Sequence, residues 1–203
     1  MSEDPSLRAV LGEAQELGWI GSAPLDQAIA HAEGFAVGVA SRPGRFADLG
    51  TGGGVPGLVL ALLWPSADVV LVEGSTRRAT FLTAAVARLG LSDRCRVLAE
   101  RAELTGRRAD LRGECDVVVA RGFASPPVTA ECAAPLLRVG GLLVVSEPPT
   151  GEDRWPAAGV AALGLTPGDT WNTGFHYRSL LQTTRCPVRY PRRTGIPQKR
   201  PLF

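Results

Sequence analysis

No apolar run in this 203-residue chain is long enough to cross a bilayer. The most apolar stretch, Val55 to Trp64, spans ten residues and is broken by Pro56 and Gly57, far short of the roughly 18 a membrane helix needs. Cysteine is scarce: Cys95, Cys115, Cys132 and Cys186 form no Cys-x-x-Cys pair, so neither a zinc site nor a disulfide framework is expected. No metal is expected, and a reduced, cytoplasmic compartment fits such cysteine usage. The start, Met1-Ser2-Glu3-Asp4-Pro5, is acidic and shows no basic-then-apolar order, so no signal peptide is expected. Histidine occurs twice, at His31 and His176, and lysine once, at Lys199. Two isolated histidines offer no obvious acid–base pair. What is present is globular: 45% hydrophobic residues, 21% charged, 24 Gly and 16 Pro, which excludes collagen, coiled coil and wholesale disorder. The length suits one core.

Net charge is +2, unevenly spread. Arg185, Arg189, Arg192, Arg193, Lys199 and Arg200 crowd the last 19 residues, which hold no acid, and leave 16 basic against 20 acidic groups elsewhere. A basic tail on an acidic body suits a polyanionic partner; a solvated arginine-rich tail would read the same way.

Apolar spacing of three and four predicts a helix through Leu7, Val10, Leu11, Ala14 and Leu17, and a second from Leu25 to Val39. Short apolar runs then alternate with helical stretches. Strands are expected at 46–49, 69–72, 96–99, 116–120 and 142–145, and helices at 57–63, 76–89 and 128–138, the last capped at Gly140-Gly141. Such alternation, with Val and Leu runs, means an α/β fold with a parallel sheet covered on both faces. After a weak helix at 155–163, two candidate strands flank Gly174 (166–173 and 177–184), predicting an antiparallel pair at the C-terminal edge. The expected division is a helical extension (1–45), a central domain (46–184) and a basic tail (185–203).

Asp48-Leu49-Gly50-Thr51-Gly52-Gly53-Gly54-Val55-Pro56-Gly57 follows the first strand. Glycines there allow a tight turn and bring backbone N–H groups close to a nucleotide-like ligand. Gly52, Gly54 and Gly57 also satisfy the dinucleotide fingerprint, which keeps a nicotinamide enzyme in view. Glu73 ends the second strand, 23 residues after Gly50, where an acid can accept from both hydroxyls of a ribose. Arg101-Ala102-Glu103 follows the third strand and can face an adenine edge, or merely open a surface helix. Arg121 ends the fourth strand at the carboxyl edge of the sheet, where α/β folds bind ligands. Its guanidinium could hold a carboxylate or phosphate, or pair with Glu103 or Asp48.

Asp48 to Gly57, Phe81-Leu82, Leu89-Gly90-Leu91, Arg101-Ala102-Glu103 and Arg121 together resemble the glucose-inhibited division protein B family. Gly-Val-Pro-Gly, Arg-Ala-Glu and the arginine after the strand carry most of that specificity. The tail, Tyr190 to Leu202, resembles the end of many members, and His31 falls loosely where they often carry histidine. The resemblance implies a Rossmann-like class I methyltransferase fold. It implies transfer from S-adenosylmethionine to guanine N7 of small-subunit ribosomal RNA, with that RNA or the ribosomal subunit as partner. The loop positions expected at the cofactor are Gly50, Thr51, Gly52, Gly54 and Val55, with direct contacts assigned to Gly50 and Val55. Glu73 is expected at the ribose, Ala102 and Glu103 at the adenine, and Arg121 at the methionine end or the mouth. Phe123 is a stacking candidate for the target base, and Arg192, Arg193 and Lys199 are phosphate contacts.

Two departures stand out. Members usually carry lysine then glycine after the fifth strand; here the chain reads Ser146-Glu147-Pro148-Pro149, an anion for a cation. An acid facing phosphate weakens RNA binding. The string from Ala32 to Gly38 also lacks the family's histidine–aspartate–serine wording. Both would suit a divergent paralogue with another acceptor, so a small-molecule or protein methyltransferase and a non-catalytic cofactor-binding ribosome-associated module stay open beside the RNA reading. Guanine N7 already has a lone pair, so no catalytic base is expected. Orientation in a dry pocket can supply roughly 7–11 kcal/mol in favourable cases.

Overall fold

A computed structural model describes residues 4–150 and 153–203; the acidic start at Met1 to Glu3 lies outside the described residues. Five parallel strands form the body: β1 (Arg45–Leu49), β2 (Asp68–Val72), β3 (Cys95–Leu98), β4 (Cys115–Ala120) and β5 (Leu137–Glu147). Helices α3 (Gly57–Leu63), α4 (Thr76–Arg88), α5 (Ala102–Thr105) and α6 (Pro126–Ala133) follow β1 to β4 in turn. The strands β6 (Leu165–Asn172) and β7 (His176–Gln182) close the sheet as the expected antiparallel pair, giving the order β3-β2-β1-β4-β5-β7-β6. Because the chain reverses direction of travel between β1 and β4, the carboxyl ends of those strands open a crevice.

Alternate residues of each strand bury against opposite layers. Phe46, Val69, Leu71, Val117, Val119 and Val144 face α3, α4 and two N-terminal helices, α1 (Pro5–Glu16) and α2 (Leu25–Val37). Ala47, Val70, Val118, Leu143 and Val145 face α6, α7 (Ala157–Ala161) and the C-terminal segment. Both faces of the central strands β1, β2 and β4 are covered, so those strands are largely apolar. Helix α1 buries Leu7, Val10, Leu11 and Ala14 completely, and the Asp4 carboxylate caps it by accepting from the Ser6 and Leu7 N–H groups. All four cysteines are buried free thiols.

The largest departure from the sequence pattern lies where α6 meets β5. The helix expected over 128–138 stops at Ala133, and β5 begins at Leu137. Pro135 is the cause, since its ring and missing N–H cannot continue a helix. Gly140 and Gly141 sit inside β5 instead of capping a helix. Gly140 has φ +83°, the register shifts between Cys115 and Val117, and a Cβ on Gly141 would lie 2.9 Å from the Cys115 carbonyl oxygen. The glycine pair makes a bulge.

The C-terminal segment is bound to the body along much of its length. Arg112 donates to four carbonyls, those of Gly106, Cys186, Pro187 and Tyr190, at 2.8–3.1 Å. Further on, Arg192 meets the fully buried Glu131, and a last short helix, α8 (Ile196–Lys199), follows. Among the described residues no helix is long and apolar enough to cross a membrane.

Candidate active site

A cleft of about 450 Å³ opens at the carboxyl ends of β1 to β4. It brings together Gly50, Glu73, Ala102, Glu103 and Phe123, residues scattered over 74 positions of sequence. At Gly50 (φ +67°) the chain doubles back: the N–H groups of Gly50 and Thr51 donate to the Val72 carbonyl, and a Cβ on Gly50 would lie 2.6 Å from the Phe123 ring. Only glycine allows that approach.

Glu73 is 4% exposed, and its two oxygens are held separately. Oε2 accepts from the Gly52 N–H at 3.0 Å and Oε1 from the Ser75 N–H at 2.8 Å. One backbone donor per oxygen fixes the carboxylate and leaves lone pairs on both for further donors. Glu103, equally buried, accepts from the Gly195 N–H at 2.9 Å and faces Arg101 at 3.7 Å. Glu103, the residue expected at the adenine, is therefore tied to the C-terminal segment. Sequence reasoning left Arg78, Ser75 and Gln198 without roles, yet all three line the cleft, and Arg78 lies 3.6 Å from Glu73. Arg78 stands five residues beyond Glu73 on the helix that opens after β2, and that offset was its only signal.

Thr51, Gly52, Gly54, Val55 and Arg121 do not line this cleft. Thr51 is buried, with its hydroxyl 2.5 Å from Asp48 Oδ2; Gly54 abuts Leu58 and Leu82; Val55 packs into the apolar layer. They build the loop from behind. Arg121 interacts electrostatically with Asp48 and Tyr177. Burial lowers its pKa while the Asp48 charge works to raise it, so its electrostatic neighbour is Asp48, whereas Glu103 is taken by Gly195 and Arg101.

Asp48 is completely buried. Oδ2 accepts from Thr51 and from the Gly57 N–H at 2.8 Å, while Oδ1 finds no hydrogen-bond partner among the described residues. Loss of solvent pushes its pKa up to about 6, despite the Thr51 and Gly57 hydrogen bonds and Arg121. His31 lies on the same side of the sheet, stacked on Phe175 at 4.2 Å with the rings 1° from parallel. Burial first, and Arg121 second, hold its pKa down at about 4, so it is neutral at pH 7. Because Asp48 titrates higher folded than unfolded, its ionisation costs stability as pH rises from about 4 to about 6. At about 1.36 kcal/mol per pH unit the whole loss is about 3 kcal/mol. Denaturation of wild type and Asp48→Asn at pH 4 and pH 7 should therefore show the variant gaining about that much relative to wild type at the higher pH. A difference independent of pH would mean that Asp48 titrates as an ordinary carboxylate.

Residues 32–155 match the family described as rRNA small subunit methyltransferase G. The chain belongs to that family. Proteins named ribosomal RNA small subunit methyltransferase G are similar over most of its length. The one from Prochlorococcus marinus (strain MIT 9303) is 37% identical over 172 residues, covering 80% of this chain and 70% of the relative. The one from Deinococcus radiodurans is 39% identical, covering 77% and 65%. Solved structures show the fold alone. An O-methyltransferase from Bacillus cereus in complex with SAH superposes with TM-score 0.66 at 16% identity, over 88% of this chain and 91% of its own. The O-methyltransferase TomG from Streptomyces achromogenes, in complex with SAM, gives 0.64 at 20%, over 90% and 91%.

Within this methyltransferase G family member, two sequence expectations are revised by the structure. Glu147, read as an acid facing phosphate, accepts from Trp155 Nε1 at 2.8 Å and from Arg154 at 3.4 Å, so its charge is partly met inside the protein. Arg192, read as a phosphate contact, gives its backbone N–H, Nε and Nη2 to Glu131 at 2.6–3.1 Å. Sequence gave no sign of this because Glu131 lies 61 residues away in a helix with no other charge. Arg193 and Lys199 remain exposed, as does Arg200.

Proposed function

We propose that the chain transfers a methyl group from S-adenosylmethionine to N7 of a guanine in small-subunit ribosomal RNA. The observation carrying this reading is Glu73. Its buried carboxylate, held by one backbone donor per oxygen at the lip of the cleft, is made to accept two more hydrogen bonds, as a ribose offers. Ala102 and Glu103 form the adenine side. Arg121, with Asp48 as its electrostatic neighbour, is a cation of the kind an amino-acid end needs. The donor set fits the cofactor, which supplies an electrophilic methyl on a sulfonium. The chain's own work is binding, orientation and exclusion of water. Guanine N7 brings its own lone pair, and neutral His31 needs no part in proton transfer. Orientation of this sort is worth roughly 7–11 kcal/mol in favourable cases.

Phe123, half-buried against Gly50, stands where the target base would enter. The helical segment 1–45 and the segment 185–203 act as walls of the central unit 46–184, and the compartment of action is the cytoplasm, on ribosomal RNA or the small subunit. Calorimetric titration with S-adenosylmethionine, with NADH as comparison, followed by labelled-methyl transfer to unmodified small-subunit RNA, tests the proposal. Binding of the former and a labelled guanine are expected; binding without transfer to RNA would overturn the acceptor.

Phosphate contacts fall to Arg193, Lys199 and Arg200, since Arg192 is committed to Glu131. Neutralising the three should lower RNA affinity and flatten the slope of log K against log salt by about 0.7 per lost contact on single-stranded RNA. Cofactor affinity should hold. An unchanged slope would remove them from the RNA interface.

A further inference from the structure

A second cleft of about 410 Å³ adjoins the first, with Gly122, Phe123 and Ala124 lining both. Beyond that shared loop its walls include Ser146, Glu147, Arg154 and Trp155, and Glu147 is the one carboxylate lining it among the described residues. The side chain is 14% exposed. Trp155 Nε1 orients Oε1 at 2.8 Å, whereas Oε2 has only the 3.4 Å contact from Arg154 Nη1, near the limit of a hydrogen bond. An ionised carboxylate has about four lone-pair sites, so this one, lining the cleft, retains acceptor capacity.

We propose that this cleft seats the acceptor guanine and that Glu147, with Arg154 beside it, reads the base's Watson–Crick edge. The inference rests on the methyl-transfer reading above. Guanine presents an acceptor, O6, next to two donors, N1–H and N2–H₂. A carboxylate beside a guanidinium presents the complement: two acceptor oxygens for the donors and N–H groups for O6. Adenine reverses both signs at the same places, setting its N6 donors against the guanidinium and its bare N1 lone pair against the carboxylate. That pairing repels as well as attracts, which is how discrimination is built. N7 lies on the other edge of the purine, so a base gripped at N1 and N2 keeps N7 free toward the adjoining cleft. Reaching the pocket requires the base to leave its stack, and a displaced base enters edge first, with its phosphates outside. This removes the conflict of an anion near RNA: Glu147 meets N–H donors and a neighbouring cation, not phosphate.

The test uses the full chain. The nucleotide methylated by wild type in unmodified small-subunit RNA is mapped, and synthetic RNA fragments carrying guanosine or inosine there are compared. Inosine lacks only the N2 amino group. Wild type should favour guanosine by about tenfold or more in kcat/KM, and Glu147→Gln, which sets an amide donor against a base donor, should bring that ratio to within about twofold. S-adenosylmethionine affinity should be unchanged, confirming an intact fold. Should Glu147→Gln bind the cofactor but transfer nothing, or fail to fold, Trp155→Phe, which frees the carboxylate from its indole donor, is read instead and should show a reduced ratio. An undiminished ratio in the variant so read, or equal use of guanosine and inosine by wild type, overturns the assignment. Absence of transfer to any guanine by wild type overturns the methyl-transfer reading itself, and the inference with it.

Discussion

Arg192→Ala should destabilise the protein by about 3–5 kcal/mol, the cost of leaving a buried charge without its partner. Glu131 is completely buried and receives the Arg192 backbone N–H, Nε and Nη2. Alanine would keep the backbone bond and strip the rest, leaving a carboxylate with no counter-charge in an apolar layer. For a chain of this length a kcal/mol is worth about 2–4 °C, so the melting temperature should fall on the order of 10 °C. The effect should reach the cofactor as well. Three residues after Arg192, Gly195 gives its N–H to Glu103, the cleft carboxylate proposed for the adenine side. Loosening the segment frees that carboxylate to swing, and cofactor affinity should drop although Arg192 does not line the cleft. The salt dependence of RNA binding, by contrast, should keep its slope, because the lost cation was already neutralised within the protein. Replacing both partners with leucine should restore much of the stability, since apolar residues of similar volume often substitute for a buried pair. A melting temperature within about 2 °C of wild type for Arg192→Ala would mean that the segment's other ties, Arg112 to three of its carbonyls and Gly195 to Glu103, hold it without Arg192.

The order of strands and helices was legible because it depends on local pattern. Valine runs buried on both faces, the spacing of Leu7, Val10, Leu11 and Ala14, and the glycines after β1 each act over a few residues. Glu73 was legible because a fixed topology puts the end of β2 beside the loop after β1. What escaped depends on contacts distant in sequence. Nothing local says that Arg192 finds Glu131, that Gly195 reaches Glu103 across 92 positions, or that Trp155 pins Glu147. Composition made the last segment look like a free basic tail, since an arginine in a buried pair and one facing solvent are spelled alike. The misplaced end of α6 has a different cause. Val128 to Arg138 has helical apolar spacing, but Pro135 interrupts it, and a single proline outweighs the pattern around it.

Glu73→Gln should weaken S-adenosylmethionine binding about 100-fold or more. Carboxylate and amide differ little in shape, so the prediction turns on hydrogen-bond polarity. Both Glu73 oxygens accept backbone donors, Oε2 from Gly52 and Oε1 from Ser75. Whichever way an amide is turned, its NH₂ faces one of those N–H groups. If it faces Ser75, the opening of α4 is disturbed; if it faces Gly52, the glycine loop loses its tether. Either way one acceptor for a ribose hydroxyl is gone, and hydrogen bonds to a charged group are worth about 1.5–3 kcal/mol each. That loss, together with the weakening of the second ribose bond once its acceptor is neutral, comes to about 3 kcal/mol, and at 1.4 kcal/mol per tenfold gives the stated factor. Arg78→Gln should matter far less. Its guanidinium is 41% exposed and 3.6 Å from Oε1, and exposed ion pairs contribute about 0–1 kcal/mol. Calorimetry with S-adenosylhomocysteine and its 2′-deoxy analogue separates the two parts of the loss. Wild type should prefer the ribose form by about tenfold, and Glu73→Gln should largely lose that preference as well as overall affinity. A variant that binds weakly yet keeps the preference would place the ribose on another acceptor and leave Glu73 as the anchor of the glycine loop alone.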